Sequence, residues 1–162
     1  MTEVLVLREE NKVSRMLKDE RGMTLVELLA TVVILAIIAA IGVTAIGRVI
    51  QNTREDAGVA NVQQAMNAAK LYQSTESKAT GGKFFTLKEI LDGGYLEAAK
   101  GTWETPDTVV FTVETDGSLT LAVPANQLTA GNKKSQPIAA GTTNDDILSL
   151  TRADLWTPPA NP

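Results

Sequence analysis

The chain has 162 residues, a formal net charge of -4, no cysteine and no histidine. That length holds one domain and a membrane segment but not two large cores. Missing thiols and imidazoles exclude disulfides, thiolate metal sites and any Ser/His/Asp, Cys/His or zinc-hydrolase scheme within these residues, and an acidic balance without a basic block argues against nucleic-acid binding.

Residues 1–22 are polar and carry Arg8, Lys12, Arg15, Lys18 and Arg21 against Glu3, Glu9, Glu10, Asp19 and Glu20. The far flank of the following segment, 48–62, has only Arg48 and Arg54. Orientation in a membrane follows Lys and Arg rather than net charge, so the bias favours a cytoplasmic N-terminus. Met16 is an alternative start to Met1.

From Leu28 to Gly47 no residue is charged. Twenty helical residues span ~30 Å, the thickness of a bilayer's hydrocarbon core. Glu27 stands at the head of the run, where a carboxylate costs up to roughly 3 kcal/mol, least toward the interface. Three readings compete for this segment: a secretory signal peptide, an ordinary single-pass anchor, and a helix cleaved before the apolar run at Gly22/Met23. Gly42 and Gly47 are the loose spots in such a helix.

Beyond Arg48 the pattern stays helical and free of proline. Arg48, Gln51, Arg54, Glu55 and Asp56 make its first part polar. Val62, Met66, Ala69 and Gln73 then follow a 3/4 spacing, flanked by Ala65 and Tyr72, which predicts a face packed on the chain's own domain. One continuous helix is expected from about 24 to 74.

Residues 74–83 form a loop with the Gly81-Gly82 breaker. Thr86-x-x-Glu89 is a capping box, and Leu87, Ile90 and Leu91 give a short helix at 87–92 an apolar face, with Gly93 or Gly94 at its end. Phe84, Phe85, Tyr95 and Leu96 are expected to pack it onto the long helix. Thr108–Glu114 and Ser118–Val123 read as a hairpin about Asp116-Gly117, and Pro124 ends it. Residues 125–143 are turn-rich. Asp146–Thr151 reads as a final strand, and Leu155 and Trp156 close the core before Pro158-Pro159. Asp116, Asp145 and Asp146 lack calcium-loop spacing and read as solvated loop carboxylates. The fold class is therefore α+β: a long N-terminal helix, its first half transmembrane, packed on a small C-terminal antiparallel sheet. No catalytic, cofactor or metal residues are assigned, and no enzyme is expected.

At Gly22-Met23-Thr24-Leu25-Val26-Glu27-Leu28, followed at once by the apolar helix, the sequence resembles the type IV pilin superfamily, which includes type IV pilins, type II secretion pseudopilins and competence pseudopilins. The family usually has phenylalanine where Met23 stands; methionine there resembles its type IVb subgroup, whose usual cysteine pair this chain lacks. The resemblance implies a leader, 1–22, removed by a prepilin peptidase that cuts after Gly22 and N-methylates Met23. Residues 23–47 then serve as membrane anchor and later as filament core, and 48–162 form the extracytoplasmic head. Glu27 is implied to pair with the new ammonium on Met23 of a neighbouring subunit. The implied partners are further copies of the chain, the peptidase/methyltransferase, an inner-membrane assembly platform with its ATPase motor, and minor pilins. The implied location is the plasma membrane before assembly and the cell surface after it. A secretion or competence pseudopilin, or a single-pass anchored extracellular binding domain, are the alternatives.

Overall fold

The computed structural model describes the backbone of residues 2–76 and 82–157, and side chains from Thr24 onward within those ranges. Helix α1 spans Thr2–Thr75. It continues unbroken through Gly42 and Gly47, and runs further toward the N-terminus than the 24–74 expected. The chain divides between Arg48 and Val49 into two compact units.

In the first unit the side chains from Thr24 to Arg48 are exposed, apart from a half-buried Gly42. Apolar side chains on every face of a helix suit lipid or a helical bundle rather than water. The two threonines of the run follow the same logic. Thr31 Oγ1 donates to the Leu28 carbonyl at 2.8 Å and Thr44 Oγ1 to the Ile41 carbonyl at 2.9 Å, so neither hydroxyl needs water.

The second unit is built on the C-terminal part of α1. Its elements are β1 (Lys83–Thr86), α2 (Leu87–Asp92), a 3-10 turn (Pro106–Thr108), β2 (Val110–Val113), β3 (Leu119–Val123), β4 (Thr129–Ala130), β5 (Lys133–Lys134), β6 (Ile138–Thr143), α3 (Asn144–Leu148) and α4 (Arg152–Trp156). A four-stranded antiparallel sheet has the order β1-β2-β3-β6, and β4 pairs β5 as a separate ribbon. Val62, Met66 and Ala69 of the 3/4 spacing are buried, as are the flanking Ala65 and Tyr72, while its fourth member, Gln73, is half-buried and donates to the Gly117 carbonyl at 2.9 Å. The five buried residues share one core with Phe85, Phe111, Val113, Leu119, Leu121 and Val123 of the sheet. Phe85, Phe111 and Leu121 are direct cross-strand neighbours, and each such side chain contributes ~1.5–3 kcal/mol on burial. Tyr72 joins helix to sheet through Phe85, ring centroids 4.8 Å apart, and also meets Tyr95, just after α2, edge-on at 5.2 Å.

Local signals in the sequence are met by local geometry. Thr86 caps α2 with Glu89 in a reciprocal box. Gly94 takes φ +73°, while its N–H bonds the Leu91 carbonyl and the Tyr95 N–H bonds Ile90, the double bond of a Schellman end. Gly117, at φ +87°, completes the β2–β3 turn in which the Glu114 N–H donates to Ser118 at 2.8 Å.

Two expectations fail. Phe84 points away from the core and is 74 % exposed, because adjacent strand residues face opposite sides and Phe85 takes the inner one. Asp146–Thr151 is not a strand. Residues 144–148 form α3, since the Thr143 hydroxyl and the Asp146 carboxylate cap each other's backbone, and Thr151 with Asp154 starts α4 in the same way. The last strand of the sheet, β6, instead comes from the stretch read as turns. Its Ile-Ala-Ala-Gly-Thr-Thr has little strand character of its own, and pairing with β3 supplies it.

Candidate processing and assembly site

Gly22 and Met23 lie on the helical backbone of α1, but their surroundings fall outside the described side chains. Glu27 follows Met23 by four residues, about one turn or ~6 Å along an α-helix. Its carboxylate is exposed and has no ion-pair partner among the described residues. Leu25, Val26, Leu28 and Leu29 around it are each about two-thirds exposed. The run from Leu28 to Gly47 lies within a stretch long and apolar enough to cross a membrane, and none of that stretch's most apolar window is buried. The arrangement is a single carboxylate set at one end of a bare apolar helix. Among the described residues it holds no acid–base or nucleophilic pair. No cluster of acidic residues fit to hold a metal occurs among the described residues.

The sequence reading missed a second constellation, where the head is fastened to α1. Glu55 reads as part of a polar helix face, yet it is 4 % exposed. Its carboxylate accepts from Gln51 Nε2 at 2.8 Å and pairs with Lys133 Nζ of β5 at 2.9 Å. Gln51 also donates to the Ala130 carbonyl of β4 at 2.9 Å. The Glu55 carbonyl accepts the indole N–H of Trp156 at 2.8 Å, and Arg152 of α4 pairs with Asp56 at 3.1 Å. Two glycines make room for these contacts. A Cβ on Gly58 would run into the Trp156 ring, and one on Gly131, itself at φ +61°, into the Gln51 amide. Apart from Gln51 and Glu55, one turn apart on α1, the paired residues are 78 or more positions apart, so no local pattern links them; the one usable signal is Gly58, three residues after Glu55 in an otherwise continuous helix.

The Gln51 hydrogen bond, followed by the contact with Lys133, holds the Glu55 carboxyl below the usual carboxylate range despite the opposing push of burial. Asp146 and Asp154 are lowered by their Thr143 and Thr151 caps, and Asp116 by Ser118. A carboxyl lowered on folding stabilises the head above its unfolded value of about 4. That stabilisation is lost as pH falls through the lower folded value. The melting temperature is therefore expected to drop steadily below about pH 4.5, with a shallower drop in Glu55→Gln. Thermal scans of wild type and variant across pH 3–7 check this, and identical slopes would remove Glu55 from the account.

Residues 17–43 match the family model described as the prokaryotic N-terminal methylation motif. The match includes Gly22, Met23 and Glu27 and most of the apolar run. No curated protein and no solved structure matched the chain.

Proposed function

From a chain that carries the N-terminal methylation motif characteristic of type IV pilins and pseudopilins, we propose a structural subunit of a type IV pilus or pilus-like filament. The leader, 1–22, is cut off after Gly22 by a prepilin peptidase, and Met23 becomes an N-methylated N-terminus. Until assembly the subunit is held in the plasma membrane by Leu28 to Gly47, with the head, 48–162, outside. A platform and its motor then draw it into a filament whose centre is a bundle of these helices.

The observation that carries the reading is the motif joined directly to an apolar helix that the chain's own fold leaves uncovered. Transfer from lipid to a helical bundle keeps that surface out of water throughout, so extraction need not expose it. Cleavage also supplies what Glu27 lacks. The ammonium on Met23 of a staggered neighbour meets the carboxylate in a low-dielectric bundle, and each offsets the desolvation of the other. Methylation keeps that charge.

Intact-mass and N-terminal sequencing of the mature protein test the proposal. A chain beginning at N-methyl-Met23 is expected. An uncut N-terminus, or a cut after Gly47, overturns it. Electron microscopy of shed surface filaments, with identification of their main subunit, separates a pilus subunit from a secretion or competence pseudopilin.

A further inference from the structure

We propose that the β4–β5 ribbon, with Arg54 beside it, is a basic foot that docks the head on anionic lipid headgroups of the membrane in which the chain is anchored; this rests on the anchor reading above. The chain as a whole is acidic, at -4, but this corner of the head has the opposite sign. Arg54, Lys133 and Lys134 are exposed. The Arg54 guanidinium lies against the ribbon tip, where a Cβ on Gly131 would stand 3.4 Å from its Nη1. The carboxylates nearby are already engaged, Glu55 by Lys133 at 2.9 Å and Asp56 by Arg152 at 3.1 Å. Arg54 and Lys134 have no ion-pair partner among the described residues.

Position along the chain decides which partner these charges meet. The Gln51 amide holds the ribbon through the Ala130 carbonyl at 2.9 Å, and Gln51 comes four residues after Gly47, where the apolar run ends. Four residues reach at most ~14 Å in any conformation. The polar layer on each side of a bilayer is roughly 5–8 Å deep. Even at full stretch Gln51 stands no more than about 6–9 Å beyond that layer, and the flexible stems of Arg54 and Lys134 near it let their charged ends settle toward the interface. A soluble acidic partner would have to compete with a lipid surface that is always present. Each cation near an anionic leaflet shifts the docked population by roughly fivefold, and salt screens the attraction.

The absence of native cysteine allows a single fluorophore on an Asn132→Cys variant of the full chain, at the exposed ribbon tip. Energy transfer to headgroup-labelled lipid is then measured in vesicles of phosphatidylcholine alone and of phosphatidylcholine with phosphatidylglycerol. Higher transfer is expected with phosphatidylglycerol, reversed by ~1 M salt. Arg54→Gln with Lys134→Gln is expected to cut the docked population roughly fivefold per charge removed; both spare the Glu55 and Asp56 pairs. Equal transfer in the two lipids, or a rise that the double variant retains, overturns the proposal. A salt-sensitive contact seen only once chains assemble also overturns it, assigning the foot to an acidic face of a neighbouring copy. A chain that floats with the vesicles but shows no lipid response sinks this inference alone. A chain that does not float removes the anchor reading together with it.

Discussion

The proposed filaments are expected to disappear when Glu27 is replaced by alanine, while the proposed cleavage after Gly22 and methylation of Met23 continue. Glu27 is exposed at the head of an exposed apolar helix, so within one chain its loss costs little. The cost falls on assembly. In the proposed bundle, the alanine would leave a neighbour's Met23 ammonium without a counter-charge. Breaking a buried pair from one side typically costs 3–5 kcal/mol, or about 10²–10⁴ in subunit affinity. Glu27→Gln keeps the shape but not the charge and is expected to fail nearly as badly. A bulky residue at Gly22 is expected to fail at the earlier, proposed cleavage step, leaving uncut precursor in the membrane. Sheared filament yield, set against the intact mass of the membrane pool, separates the two. Normal filaments from Glu27→Ala would remove charge pairing from the account.

The second large effect concerns the head. Trp156→Ala is expected to destabilise it by about 3–5 kcal/mol, the usual cost of emptying a core site of that size. Whole domains are stable by only ~5–15 kcal/mol, so a large part of the head's stability goes with one side chain. The ring is 3 % exposed, sits over Gly58 and bonds the Glu55 carbonyl. Its removal opens a cavity on α1 beside a buried carboxylate. Trp156→Phe keeps most of the volume and loses the indole N–H, so it should cost closer to 1 kcal/mol. Denaturant titration of the two variants measures both, and equal costs would show that the hydrogen bond, not the packing, is what matters.

The sequence by itself determined whatever depends on neighbours in the chain. The apolar run and the motif at Gly22–Leu28 are contiguous. The stripe Val62, Met66, Ala69 repeats with the helical period, and the Thr86/Glu89 box and the Asp116-Gly117 turn act over three or four residues. Capping boxes at Thr143/Asp146 and Thr151/Asp154 are legible by the same rule, with aspartate in the place of glutamate, and they start helices where Asp146–Thr151 reads as a strand.

Only the tertiary structure decided the rest. Strand β6 exists because β3 offers it an edge, and Phe84 faces out because Phe85 is the one that meets Tyr72 and Phe111. The burial of Glu55 was out of reach for the same reason. A charged residue on a helix is solvated unless something covers it, and what covers this one, Lys133 and Trp156, arrives from 78 and 101 residues away. Periodicity reports which face of an element is apolar. It carries no information about which distant polar groups will meet, because that depends on how the chain closes on itself.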